Sequence, residues 1–215
     1  DMQESGNLKM KKSRIKWISI GVILLIAIAV TAWVLFFRDN SPASVNSQTA
    51  EKARQEALSE VEPVIVDSLD GTWTIDTEIG VFDQKCLTEV CNSSFAGFRI
   101  DEELVGIGGK TVVGRTPGIQ SQFTIEGSTI FLAGQEGNPT IVVDMAGLTT
   151  DDAGRNNAIK RQAIETEKYP EAYFDIKQPI DFNTESDLQA GFEIEVRGDL
   201  TIHGVTREER IVLNV

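Results

Sequence analysis

From about Leu69 onward, apolar and polar residues alternate in short runs. Trp73 and Ile75 alternate with Thr72, Thr74 and Asp76, and Phe98 and Ile100 with Arg99 and Asp101. Phe123 and Ile125 alternate with Gln122 and Thr124, and Phe192, Ile194 and Val196 with Glu193, Glu195 and Arg197. A period of two puts one set on a dry face and the other on a wet face, as in an antiparallel sheet with one side in water. Gly108-Gly109, Pro117-Gly118, Glu126-Gly127 and Gly137-Asn138-Pro139 punctuate the runs at roughly hairpin spacing. One helix fits 152–165, with Thr150 or Asp151 as its N-cap and Ala158, Ile159 and Ala163 on a modest apolar side. Many short strands and one helix predict an antiparallel barrel or sandwich, and periodicity alone does not separate the two.

The N-terminal pattern is different. Residues 17–37 form a run of 21 residues without a charge, enough helix to cross the roughly 30 Å hydrocarbon core of a bilayer. Trp17 and Trp33 lie near its ends, where indole rings favour the interface. Lys9, Lys11, Lys12, Arg14 and Lys16 all precede it, so the positive-inside rule predicts residues 1–16 in the cytoplasm. A single-pass helix at 17–37 in the cytoplasmic membrane is expected, with everything after it extracytoplasmic. The alternative is a signal peptide cleaved near Ser41-Pro42-Ala43, which the length of the run opposes. Residues 38–68 then read as a solvated stalk. They begin small and polar, and from Thr49 carry a thin helical stripe of Ala50, Ala53, Ala57 and Leu58 that could serve a partner helix. The domain proper is expected at 69–215.

Charge narrows the function. The formal net charge is −13; residues 1–38 carry +4 and the remainder −17. That remainder lacks the basic footprint that nucleic-acid binding needs. Its acids are scattered, as on a solvated, mutually repelling surface, rather than spaced as a calcium loop.

Catalytic chemistry is poorly supplied. His203 is the single histidine, in the segment 198–207, where Leu200 and Ile202 face one way and Asp199, Thr201 and His203 the other. A two-residue break at His203-Gly204 reads as a turn between strands, with no nucleophile motif nearby. One histidine and two cysteines make a poor zinc site, and no glycine-rich phosphate loop opens a helix. Acid pairs abound, and nothing singles one out. We expect no enzyme activity, no metal and no cofactor. Cys86 and Cys91 lie on the expected exported side. An oxidising compartment and a small loop favour a disulfide over a redox-active pair, which would want two-residue spacing.

Several segments resemble one family in order and spacing. These are Gly71-Thr72-Trp73-Thr74-Ile75-Asp76, Phe98 to Leu104, Thr111-Val112-Val113-Gly114-Arg115-Thr116-Pro117, Leu148 to Asp152 with Arg155, Tyr169 to Phe174, and 198–207. Together they resemble the YceI-like domains, lipocalin-like barrels that bind isoprenoid lipids. Arg155 is followed by Asn156 where the family often has Asp, and the Cys86–Cys91 segment looks like an insertion. The resemblance implies an all-β, antiparallel lipocalin-like barrel with one short helix, holding a polyprenol or quinone-type lipid. The apolar faces offered as its interior are Trp73, Ile75, Phe98, Ile100, Phe123, Ile141, Val143, Met145, Phe174, Phe192 and Ile194. A one-residue register error would turn each of them outward. The competing expectation is a non-catalytic interaction or stress-response domain with a filled core and a protein partner. A homodimer is compatible with either.

Overall fold

The structure, a computed structural model, describes residues 20–34, 41–59, 68–104, 108–132, 140–182 and 193–214. The chain divides into two compact units, Asp1–Asn40 with Glu102–Lys110, and Ser41–Asp101 with Thr111–Val215.

In the first unit, helix α1 covers 20–34 and is apolar around its whole circumference, with Ile23, Leu25 and Trp33 exposed. No helix among the described residues is long and apolar enough to cross a membrane. The remainder of the expected 17–37 span, Trp17 included, lies outside them.

The second unit begins with helix α2 (Ser47–Leu58) and continues through β1 (Gly71–Thr74), a 3-10 turn at Gln84–Leu87, β2 (Ala96–Leu104), β3 (Gly108–Thr116), β4 (Ile119–Glu126), β5 (Thr129–Leu132) and β6 (Ile141–Asp144). Helix α3 (Ala153–Ala158) follows, then β7 (Glu171–Ile176), β8 (Ile180–Asp181), β9 (Glu193–Ile202) and β10 (Val205–Asn214). The ends of β2 and β3 that fall within Glu102–Lys110 group with the first unit. All pairings in the larger sheet are antiparallel, in the order β10-β9-β7-β6-β4-β5-β8, with β1 also on β4. β4 is the junction: Ile119–Ser121 pairs with β6, and the residues from Gln122 onward pair with β1 and β5. β2 and β3 form a separate two-stranded ribbon. The expected antiparallel, mostly-β architecture is therefore present. Among the described residues the pairing order runs from β10 to β8 without closing on itself.

Alternation becomes a core where β4, β5, β7 and β9 meet. Ile125, Ile130, Phe174, Ile176, Ile180, Phe182 and Val196 are buried together, and Trp73, Phe123, Ile141 and Ile194 pack against them. A second layer holds Met145, Leu148 and Ala172, with Phe98, Val143, Ile159 and Ile164 against it. β10 is mostly exposed, and Arg207, Glu208, Glu209 and Arg210 lie along it, the kind of charge that keeps an outer strand from pairing with another chain.

The hairpin turn forms as expected. Ile202 pairs with Val205, and the two residues between them, His203 and Gly204, both have positive φ, 54° and 70°. That is the backbone of a two-residue turn whose twist matches the strands. A side chain at Gly204 would also collide with the Tyr169 ring, 2.6 Å from the added carbon.

Two expectations need correction. The N-cap of α3 is Asp152, whose carboxylate accepts from Arg155 N at 2.6 Å. Asp151 instead pairs with the Arg155 side chain, and Thr150 is buried against Asn156. Asn156 Oδ1 accepts from both Thr150 N and Thr150 Oγ1, while its Nδ2 donates to Thr150 O. An aspartate could accept both bonds and would lose the donor. The helix then loosens into a π segment over Ile159–Ala163 and stops at Glu165, whose φ is 53°. The stalk, secondly, is not wholly solvated: Ala53 and Ala57 are 9% and 8% exposed.

Candidate functional site

A cleft of about 790 Å³ lies within the second unit, walled by α2, the segment from Asp76 to Phe95, and the β2–β3 ribbon. Its apolar lining comes from Ala50, Ala53, Ala57, Ile79, Val90, Phe95, Phe98 and Val113.

Each wall has a local cause. α2 starts at Asn46, whose side chain accepts from Thr49 N at 2.9 Å while Thr49 Oγ1 accepts from Asn46 N at 2.8 Å, a reciprocal cap that satisfies otherwise orphaned amides. Ala50, Ala53 and Ala57 recur at helical spacing, so one side of α2 is small and apolar. Glu51 and Arg54 pair at 2.8 Å, and hydrogen bonds from Arg54 and then Gln55 hold the Glu51 carboxyl down at about 2. The second wall is a covalently closed loop. Cys86 and Cys91 are joined, S–S 2.05 Å, with Asp83 capping the 3-10 turn and Leu87 buried beneath it. Asp76 Oδ1 accepts from Glu78 N and Ile79 N, and Ser94 Oγ donates to Asp76 O at 2.6 Å.

The third wall is the ribbon. A carbon added to Gly97 would lie 2.1 Å from Gly114 O, and one added to Gly114 would lie 2.3 Å from the Phe98 ring. Glycine at both positions is what lets this ring lie across the ribbon. Val112, Val113, Gly114, Arg115 and Thr116 are buried in succession, so β3 is covered on both faces.

Arg115 is 4% exposed. Its Nη1 donates to Cys86 O and to Glu89 O, and its guanidinium sits 4.4 Å from the Phe95 ring centroid. One cation thus fastens the disulfide loop to the ribbon. Burial, and then the charge of nearby Arg99, lower its pKa from the ordinary value. Arg99, also in the lining, donates from Nη1 to Pro42 O and from Nη2 to Ser41 Oγ.

The expected interior residues are dispersed. Phe98 lines the cleft. Trp73, Phe123, Ile141, Phe174 and Ile194 belong to the first packed layer, and Val143 and Met145 to the second. Ile75 borders a separate, more polar groove of about 530 Å³ beside Gln120, Gln122 and Thr140. Ile100, on the ribbon strand β2, is 53% exposed and belongs to neither packed layer. Phe192 lies outside the described residues. Sequence reasoning missed Arg99, Arg115, Phe95 and Val113. The available signal was two arginines on neighbouring strands facing a small-residue helical stripe.

His203 Nε2 is 2.6 Å from Glu165 Oε2, and the Tyr169 ring meets the imidazole edge-on at 4.7 Å. This contact ties the β9–β10 turn to the end of the π segment. Among the described residues, no group of three or more His, Cys, Asp or Glu side chains is placed to hold a metal.

Comparison with known proteins supplies the family. The sequence model of the YceI-like domain matches residues 88–215. The chain belongs to the YceI-like domain family. No curated protein matches it by sequence. Among solved structures it is similar to a polyisoprenoid binding domain from Saccharophagus degradans implicated in plant cell wall breakdown. That match has 17% identity and a TM-score of 0.37, and covers 56% of this chain and 61% of the other. It is also similar to a mutant CJ YceI protein with a monobromobimane guest, at 13% identity and a TM-score of 0.27, covering 72% of this chain and 58% of the other. The chain thus spans about three fifths of the length of each.

Proposed function

We propose that this YceI-like domain binds the chain of an isoprenoid lipid, polyprenol or quinone in type, in the cleft between α2, the disulfide loop and the β2–β3 ribbon. The single observation that carries the reading is a cleft of about 790 Å³ with aromatic and small aliphatic walls, in a member of this family. A polyprenyl chain offers no hydrogen bonds, so apolar area must supply its affinity, at roughly 25 cal/mol per Å² removed from water. The solved Saccharophagus degradans relative, a polyisoprenoid binding domain by its own description, is consistent with this ligand class. The finer arrangement we propose is a closed lipocalin-like barrel at 69–215, tethered through 38–68 to a single membrane-crossing helix at 17–37. The N-terminus lies in the cytoplasm and the domain outside it. The uncharged run and the basic residues ahead of it support that arrangement.

The role is binding rather than catalysis. A second reading, a filled domain that engages a protein partner, is favoured by the tight layer around Phe174, Ile176 and Phe182. Thermal unfolding with added long-chain quinone or polyprenol separates the two. A ligand that binds only the native state raises the midpoint, and the lipid reading expects that rise, with co-purifying lipid in the mass spectrum. An unchanged midpoint and no bound lipid support the filled domain.

A further inference from the structure

We propose that the domain docks on the bilayer surface through the rim of its cleft, by way of Val45, Val81 and Val90. This face follows once 17–37 is taken, as above, to cross the membrane.

The rim is apolar and uncovered. Val45, Val81 and Val90 are 57%, 67% and 52% exposed. Val45 comes from the strap ahead of α2 and Val90 from the disulfide loop, and both border the cleft. Val81 is held at the same edge, because its N donates to Oδ1 of Asn92, another residue of the cleft. The turn that puts it there needs Gly80, whose φ is 68° and where an added carbon would lie 2.1 Å from Asn92 O. A single exposed valine is ordinary. Three around one opening form the kind of patch that meets another surface.

The tether says which surface. Residues 38–68 are long enough to let a domain drift, yet their first part is pinned to the domain itself. Arg99, on β2, donates from Nη1 to Pro42 O and from Nη2 to Ser41 Oγ, and Pro42 is buried. Residues 38–40 alone separate that attachment from the uncharged run. From residue 37 to residue 41 an extended chain reaches at most about 14 Å. Val45 follows four residues after Ser41, so the strand of chain that leaves the membrane is also the one that builds the rim. Charge along this edge is mixed. Asp76, Glu78, Asp83 and Glu89 stand against Lys85 and Arg99, and Glu51 and Arg54 pair on α2. The contact is therefore apolar insertion by the valines, and neutral lipid suits it. An apolar chain then passes between bilayer and cleft without exposing its area to water.

The test uses the full chain in nanodiscs of neutral phosphatidylcholine, with a benzophenone amino acid placed in turn at positions 81, 90 and 212. Val212, on β10, is 51% exposed and is the control of like exposure. After illumination, phospholipid adducts in the mass spectrum should be several-fold more abundant at 81 and 90 than at 212. Arg99→Gln, which cuts the strap, should lower the adducts at 90 several-fold. Val81→Asp puts a charge on the rim outside the cleft lining. It should slow uptake of a fluorescent polyprenol from the disc about tenfold, with affinity in detergent micelles unchanged. Equal adducts at all three positions overturn the docking face, as do adducts to a second copy of the chain in place of lipid, or none at 81 and 90. Native-rate uptake by Val81→Asp overturns it too. A chain that does not enter the discs overturns the membrane-crossing reading and the docking face together. Lipid adducts at 81 and 90 with no polyprenol uptake by the native protein overturn the lipid-binding reading and leave the docking face standing.

Discussion

Phe174 and Phe98 are both aromatic residues on alternating strands, yet their surroundings differ. Phe174 is central to its sheet, pairing with Ile141 on β6 and Leu200 on β9, and is sealed among Ile125, Ile176, Phe182 and Val196. Phe98 stands on a two-stranded ribbon, packed against Met145, Leu148 and Ala172 and also lining the cleft. The difference lies in what covers each strand. A sheet with neighbours on both sides and a second layer fills its dry face. A ribbon walled by an alanine-faced helix and a closed loop leaves room.

The largest expected effect is on the packed side. Phe174→Ala should destabilise the unit by about 3–5 kcal/mol, the usual range for removing a buried aromatic, read as a fall in the denaturation midpoint. Removing a cleft-lining side chain of similar kind should cost less, because part of its surface faces open space. Phe95→Ala is the comparison to make, and equal losses at the two sites would erase the contrast.

The disulfide comes next. Cys86→Ser with Cys91→Ser, or reduction of the native protein, should cost about 2 kcal/mol, the loop-closure value for so short a loop. Hydrogen exchange should show the loosening in the 76–95 segment and leave β7 and β9 protected. Two free thiols in the native protein before reduction would remove this cause altogether.

Filling the cleft should matter to ligand more than to fold. Ala50→Leu places bulk at an exposed position where α2 meets the cleft. It should weaken lipid binding about tenfold or more, roughly 1.4 kcal/mol, with little change in the unfolding midpoint. Unchanged lipid affinity in this variant would place the ligand elsewhere.

The smallest effect is electrostatic. Glu51 is held at about 2 against an ordinary 4.5. A carboxyl with a depressed native pKa contributes stability that is present above about pH 4.5 and is lost as pH falls through about 2. The α2 amides should exchange faster across that window, and Glu51→Gln should remove the pH step. The amides of the packed sheet should not show it.

The sheet was legible because two-residue alternation has a direct physical meaning when strands are covered. Trp73, Phe123 and Phe174 fell into place on that basis, and His203-Gly204 read as a turn because a two-residue break between strands favours positive φ. The cleft was much less legible. Its walls depend on which elements come together, and Ala53, Ala57, Gly97 and Gly114 carry no strong local signal. Arg115 breaks the alternation rule by burying a charge. Ile100 obeys the rule and is exposed all the same. The cap of α3 was missed by one position because Thr150, Asp151 and Asp152 are all good caps, and the choice rests on the Thr150–Asn156 contact.

The most direct test of the account is a crystal structure of the protein grown with a long-chain polyprenyl lipid. Continuous density along Phe95, Phe98, Val113 and the alanine face of α2 is the predicted result. An empty cleft with the lipid elsewhere, or no bound lipid at all, would contradict it.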